Sequence, residues 1–548
     1  MKFRDCAAAV MVRPKQSIEF FTCQVRMPTL TVSMGILRHT YYLLPASHRE
    51  GVNVLLSGFA LCPGLFYDTP AQDGILSRIR IPGGILDSQQ CHAIADIAEN
   101  YGGGYVDITN RANLQIRELR SGISSAVLKH LQNIGIGSRN FAVDHIRNIM
   151  TSPTAGIDYQ ELIDTRPFVQ DWENYIAAHP QLSGLSAKFS VCFDGGGKVS
   201  VCDRLNDIMF AAVLIDGKVY FRLCLSVGVK GKPPVDMGIV LLPELCLPVL
   251  AVLAGVYLNY TDPDSRRKLR LRELLNNLGC ENYLQEVEQR LGFSLTPQPQ
   301  FDKTSLEKNS KSNYQHIGIH PQRQPGLFYI GVVLPLGRLE SQQIRGLADL
   351  AQNFGSGTLR LTPWQNLLLT DIRERSLTDV QSEIATLKLD ISASNINTAL
   401  VACSGNKGCV ASATDTKGDA LALAKYLETH VSLNHPVNIH FSGCEKSCAQ
   451  HSPSDITLLG VSLESEHGTL GAYHIYVGDS WRGETIGESN QKFGRQLYQY
   501  VTVAELPVLL GQMLQVYKIQ CQNPDESFGE FVNRYGIAQL KPLFSPVS

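Results

Sequence analysis

The chain has 548 residues, of which 44% are hydrophobic and 18% charged, and its formal net charge is -2. On a soft scale of about 150 residues per domain this length calls for more than two domains. A near-neutral balance carries no basic excess of the kind that nucleic-acid binding requires, and the overall polarity is that of a globular chain outside the membrane.

Residues 1–55 mix apolar and basic side chains without a sustained period of 3.6 or 2, so they read as an N-terminal extension without an assigned role and without a secretion signal. The first clear motif is CPGLFYD, Cys62 to Asp68. It opens a segment, 56–137, in which IPGGILDSQQCHAIADIAENYGGGYVDIT, from Ile81, predicts a strand, a helix opened by Asp87 and Ser88, a glycine-rich turn and a second strand. TNRANLQIR, Thr109 to Arg117, follows. The next stretch, 138–294, contains KFSVCFDGGG, Lys188 to Gly197, and the apolar run Ile239–Leu258. Pro243, Glu244 and Pro248 interrupt that run, which suits a buried helix better than a membrane span. A polar, proline-punctuated run from Leu295 to Gly326 reads as a linker, assigned to 295–318.

The chain then repeats itself. LPLGRLESQQIRGLADLAQNFGSGTLRLT, from Leu334, aligns without a gap to the segment from Ile81 at an offset of 253, and PGLFY precedes both copies, at Pro63 and Pro325. The second copy comprises a segment 319–388 like the first and a C-terminal region 389–548. At a similar offset TSPTAGI, from Thr151, falls on CSGNKGC, from Cys403, and FSVC, Phe189 to Cys192, falls on FSGC, Phe441 to Cys444. Thr151, Ile157 and Gly196 thereby stand opposite Cys403, Cys409 and Cys448, with Cys192 as a retained sulfur. A pseudo-twofold body with a cleft between the copies is expected, and a cleft of that kind suits a large flat ligand.

Four of the 14 cysteines lie within 403–448, where random scatter would put about one. Cys403 and Cys409, with Cys444 and Cys448, can supply one thiolate to each iron of a 4Fe-4S cluster, while Gly405, Gly408 and Gly443 allow close backbone approach. Lys407, Glu445 and Lys446 argue against a buried set of inert thiols, and the five-residue gap argues against a zinc knuckle. The other ten cysteines are irregularly spaced, which favours reduced thiols in a cytoplasm over a disulfide framework.

These motifs resemble the nitrite and sulfite reductase superfamily. The resemblance implies an α+β fold with two ferredoxin-like half-domains, two larger α/β domains related by a pseudo-dyad, and the 4Fe-4S cluster on the C-terminal α/β domain. TNRANLQIR, KFSVCFDGGG and IHFSGCEKSCAQHSPSDITLLG, from Ile439, look most like the precorrin-3B synthases within it. That branch implies an oxygen-dependent monooxygenase of aerobic cobalamin synthesis, acting on the tetrapyrrole precorrin-3A by hydroxylation and lactone closure. The alternative is a ferredoxin-dependent sirohaem nitrite reductase, with sulfite reduction less favoured.

The resemblance further implies that Arg111, Arg147 and Lys188 contact substrate carboxylates or an inorganic anion, since Arg pairs a carboxylate bidentately and Lys supplies a compact charge. Trp364 occupies the place of Arg111 in the second copy, where it reads either as a support for a tetrapyrrole edge or as core. Ser190 stands where sulfite reductases carry a second lysine. A mononuclear non-haem iron is the oxygen-activating centre implied by the monooxygenase reading, with His440, His451 and Asp455 as nearest candidates, although Asp207 matches Asp455 and favours a shared structural role. No G-x-G-x-x-G opens a helix after a strand, so the electron donor is expected to be a separate protein, a ferredoxin or an NAD(P)H-linked reductase. Dioxygen is the co-substrate of the monooxygenase reading, and neither nucleic acid nor membrane is expected as a partner.

Overall fold

The computed structural model describes residues 64–67, 69–262, 265, 267–295, 314–393, 396–465, 468–478 and 493–545. The N-terminal extension, Cys62 and most of the linker lie outside the described residues.

The duplicated helices form as their sequences dictate. Asp87 caps the helix Ser88–Tyr101: its carboxylate accepts from the Gln90 amide at 2.7 Å, and the Gln90 side chain accepts from the Asp87 amide at 3.0 Å. In the second copy Gln343 likewise accepts from the Glu340 amide at the start of Ser341–Phe354. The loop after each helix repeats as well. The Asn113 side chain accepts from the Ile81 amide at 2.7 Å, and Asn366, 253 positions later, accepts from the Leu334 amide at 3.1 Å.

The two half-domains exchange strands. One five-stranded sheet runs Thr69–Ala71, Gly74–Ile79, Leu114–Leu119, Tyr105–Ile108 and then Arg338–Glu340, which the second copy contributes. The other runs Gly318–Pro321, Leu327–Val332, Leu367–Arg373, Thr358–Leu361 and then Ile85–Asp87, from the first copy. All pairings are antiparallel. Behind the sheets the two capped helices lie against each other, tied by Arg345 to Asp96 and Glu99 and by His92 to Asp349. One apolar core, from Leu65 to Ile136 and from Ile330 to Leu389, therefore serves both half-domains. Gly318–Pro321 is a paired edge strand and His316 is fully buried, so the C-terminal end of the run read as linker belongs to the folded body.

Each α/β domain is a five-stranded mixed sheet with its own core. The first runs Ile149–Thr151, Val191–Asp194, Ile208–Ile215, Lys218–Leu225, Val235–Leu241, and the second Leu400–Ala402, Ile439–Ser442, Ile456–Ser465, Gly468–Val477, Arg495–Thr502. In both, three parallel strands precede two antiparallel ones. The apolar run at 239–258 divides between the last strand of the first sheet and the buried helix Cys246–Asn259. Among the described residues no helix is long and apolar enough to cross a membrane.

Strand pairing corrects the internal alignment. Val191 pairs with Ile208 as Ile439 pairs with Ile456, an offset of 248, and Ile149 pairs with Val191 as Leu400 pairs with Ile439, an offset of 251. The residues opposite Cys403, Cys409, Cys444 and Cys448 are thus Ser152, Asp158, Gly196 and Ser200. Cys192 falls opposite His440, so the first copy retains no sulfur at these positions. The match of FSVC to FSGC was a coincidence of composition four residues out of register.

Candidate cluster and anion-binding site

The four cysteines come together on two loops. Cys403 and Cys409 follow the first strand of the second α/β sheet, while Cys444 and Cys448 follow the second. Partial burial raises the Cys448 thiol, as do the sulfurs of Cys444, Cys403 and Cys409 around it, so the four share one electrostatic environment. The Gly443 amide already donates to the Cys403 sulfur at 3.2 Å, a contact of the kind that tunes iron-sulfur centres. A side chain at Gly443 would overlap Ser412, its Cβ lying 1.7 Å from Oγ, so only glycine brings the loops this close. These donors fit a four-iron cluster. Cys448 is exposed, and Val410, next to Cys409 on the other loop, is 86% exposed, leaving this edge open to a partner.

The corresponding loops of the first copy are sewn together by carboxylates. Asp194 accepts from the Gly196 amide, the Ser200 hydroxyl and the Val201 amide at 2.9, 2.9 and 2.6 Å. Asp158 accepts from the Thr154 hydroxyl and the Val199 amide, both at 3.2 Å. Hydrogen bonds do here what thiolates would do in the second copy.

The basic residues named from the sequence separate into two kinds. Arg111 donates to Asn206 at 3.2 Å and pairs with no carboxylate among the described residues, nearby Asp207 being taken by Arg270 at 3.1 Å. Burial lowers its pKa; Asp207 opposes the shift and the Arg270 cation adds to it, so the site calls for an anion. Lys188 is exposed, and its ammonium makes no ion pair among the described residues. Arg147 corrects the expectation. Its guanidinium is buried and its charge is met by two carboxylates, Glu173 at 2.5 Å and Asp144 at 3.0 Å, with the Ile136 carbonyl accepting at 3.1 Å, so it is held as a structural ion pair.

Sequence reasoning missed Arg80. This side chain is 1% exposed, yet its Nε and Nη1 have no hydrogen-bond partner among the described residues. A charge held in this way is costly unless a ligand completes it. His145 lies close: burial first and the Arg80 cation second push its pKa down to about 4, so it is neutral near pH 7. Asparagines fix the frame around these groups. Asn113, which holds Ile81 beside Arg80, donates to Asn148 at 3.3 Å, and Asn148 donates to the carbonyls of Ala187 and Phe189, on either side of Lys188, at 3.3 and 3.1 Å. The asymmetry between copies could have revealed Arg80, since Val333 stands in its place at the 253 offset.

Two further expectations resolve structurally. Trp364 is core: His316 packs at 4.8 Å, Arg204 lies over its ring at 4.9 Å, and Met150, Cys192 and Met209 surround it. The mononuclear iron site does not form from the proposed trio. Among the described residues no three His, Cys, Asp or Glu side chains gather around a single-ion position. Asp455 accepts from the Asn438 and Gly529 amides at 2.8 and 3.1 Å, and its counterpart Asp207 accepts from the Ser190 amide at 3.0 Å. Both carboxylates hold a strand edge.

Comparison with known proteins agrees with this architecture. The family profile described as nitrite/sulfite reductase ferredoxin-like half domain matches residues 68–134 and 320–387, and that described as nitrite and sulphite reductase 4Fe-4S domain matches 142–295, the copy without the cysteines. A ferredoxin-nitrite reductase of Synechococcus elongatus is 30% identical over 82% of this chain and 88% of its own length. Another, of Leptolyngbya laminosa, is 33% identical over 76% and 82% respectively. The solved structure of the NirA protein of Mycobacterium tuberculosis superposes with a TM-score of 0.71 at 24% identity, covering 85% of this chain and 84% of that one, which establishes likeness of fold.

Proposed function

The chain belongs to the nitrite and sulfite reductase family, and from that premise we propose that it is a ferredoxin-dependent nitrite reductase, with a 4Fe-4S cluster on Cys403, Cys409, Cys444 and Cys448 and a sirohaem beside it. The observation that carries this reading is the buried Arg80, whose Nε and Nη1 lack a hydrogen-bond partner, accompanied by Arg111 and Lys188; none of the three has a carboxylate partner among the described residues. Such groups suit both the acidic side chains of a tetrapyrrole and a small inorganic anion.

Bound sirohaem would supply an iron that takes up the substrate and passes electrons to it, six for each nitrite reduced to ammonium. The chain's own residues supply charge and order. Arg80 and Lys188 offset the negative charge of the incoming anion, and Arg111 does the same while Asn206 holds it. His145, neutral near pH 7, adds no charge of its own to that field. Ser190 carries a neutral hydroxyl in place of a cation, and its amide and hydroxyl both donate to Asp207, at 3.0 and 3.3 Å. The loss of one charge-assisted contact, about 1.5–3 kcal/mol, disfavours sulfite relative to nitrite. The open edge at Val410 and Cys448 suits delivery of electrons by a separate ferredoxin.

The second reading, the precorrin-3B synthase monooxygenase, is favoured by the longer strings around Arg111, Lys188 and Cys444 and by the same Ser190. It lacks the single-ion site expected for oxygen activation among the described residues. Anaerobically purified protein distinguishes the two. Sirohaem absorption and ammonium formation from nitrite with reduced ferredoxin support the reductase; a cluster spectrum alone, with oxygen-dependent turnover of precorrin-3A, overturns it in favour of the monooxygenase.

A further inference from the structure

The hairpin that carries TNRANLQIR grips both cysteine loops. From its turn, Asn110 donates to the Ala449 carbonyl, next to Cys448, at 2.9 Å. From its second strand, Arg117 donates through Nη2 to the Gly408 carbonyl, next to Cys409, at 2.8 Å. From its first strand, Asp107 pairs with Lys417 at 2.9 Å, at the start of the helix Thr416–His430 that follows the first cysteine loop.

Arg117 is the most constrained of these. Its side chain is 5% exposed, and Asp73 clamps it through two parallel bonds, Nε to Oδ2 at 2.7 Å and Nη2 to Oδ1 at 3.0 Å. The pair sits directly on Gly408. A Cβ there would lie 2.6 Å from Arg117 Nη2 and 3.0 Å from Asp73 Oδ2, so the glycine is required by the clamp.

We infer that Arg117 is a positioning residue for the cluster, and that the Arg117–Asp73 pair both seats Cys409 and sets the cluster's reduction potential through two opposed charges beside it. The inference rests on the cluster assignment above. Reduction adds one negative charge to an iron-sulfur centre, so a nearby cation favours the reduced form and a nearby anion the oxidised form. In the intact pair the two effects largely cancel. Removing either charge leaves the other exposed to the cluster, and the two removals act in opposite directions. An ion pair that served the fold alone would weaken the protein through either change without this reversal of sign.

The test uses the full chain, purified without oxygen, with the cluster titrated electrochemically and followed by electron paramagnetic resonance. Arg117→Gln is expected to lower the midpoint potential and Asp73→Asn to raise it, each by about a tenfold change in the oxidised-to-reduced ratio at fixed potential, 59 mV for a one-electron couple. Shifts in the same direction, or no shift in either, overturn the proposal. Should Arg117→Gln lose its cluster, Asp73→Asn decides alone, and the absence of a rise refutes the inference. Iron and sulfide missing from the unsubstituted protein would instead refute the cluster assignment, a separate outcome read before the variants are compared.

Discussion

Replacing Arg80 by Met should stabilise the cofactor-free protein while weakening its hold on anions. The guanidinium is 1% exposed, and two of its nitrogens donate to nothing. Each buried donor left unsatisfied costs about 1–3 kcal/mol, so the two together cost roughly 2–6 kcal/mol. Methionine fills a similar volume with an apolar chain and carries no donors, and comparable replacements of buried charge by apolar residues gain about 1–4 kcal/mol. A net gain in that lower range is expected, read as a higher urea midpoint for the cofactor-free protein. Nitrite affinity of the loaded enzyme should fall by roughly 10- to 100-fold, the loss of one or more charge-assisted bonds of about 1.5–3 kcal/mol. Binding sites commonly hold such stability in reserve. A variant that is less stable and binds nitrite as before would refute the reasoning, because Arg80 would then be satisfied within the fold.

Asp107→Asn should cost about 3 kcal/mol in denaturant titrations, since it strands Lys417 and Arg338, which approach its carboxylate at 2.9 Å each; an unchanged midpoint would show the pair to be dispensable. Burial alone would raise the Asp107 pKa, but Lys417 and then Arg338 outweigh it and hold the carboxyl below its ordinary value. Its contribution is therefore fully present above the unfolded pKa of about 3.9 and is lost as pH falls through the lower folded value, so the wild type should lose stability more steeply than Asp107→Asn below about pH 4. Trp364→Ala should cost about 3–5 kcal/mol in thermal or chemical unfolding, as expected for a buried indole removed from a packed cluster; a loss under about 1 kcal/mol would contradict its assignment to the core. Cys444→Ser should abolish the cluster absorption, and an unchanged visible spectrum would mean that the ligands lie elsewhere.

Much of this architecture was legible in the chain because duplication leaves its own record. The offset of 253, the paired helices and the four crowded cysteines needed no structure. The exchange of strands was invisible, since Ile85–Asp87 and Arg338–Glu340 are three residues each and their partners lie some 250 positions away. Too few residues alternate there to carry a period of 2. The register of the first copy slipped because F-S-x-C recurs by chance, and only strand pairing shows that Asp158, Asp194 and Ser200 replace sulfur chemistry with hydrogen bonds. Arg147 looked available for substrate because its partner Glu173 sits on a helix 26 positions later. Arg80 escaped notice for the opposite reason: within S-R-I-R-I it reads as the outward face of a strand, whereas the fold buries it with Nε and Nη1 unsatisfied among the described residues.

The central claim, that the C-terminal copy holds a 4Fe-4S cluster beside a tetrapyrrole and an anion-binding pocket, is tested most directly by quantifying iron, sulfide and extractable tetrapyrrole in one anaerobically purified sample. The account predicts about four irons and four sulfides for the cluster, with about one further iron in an extractable sirohaem. Zinc in place of iron, or protein free of both metal and tetrapyrrole after purification and reconstitution, would contradict it.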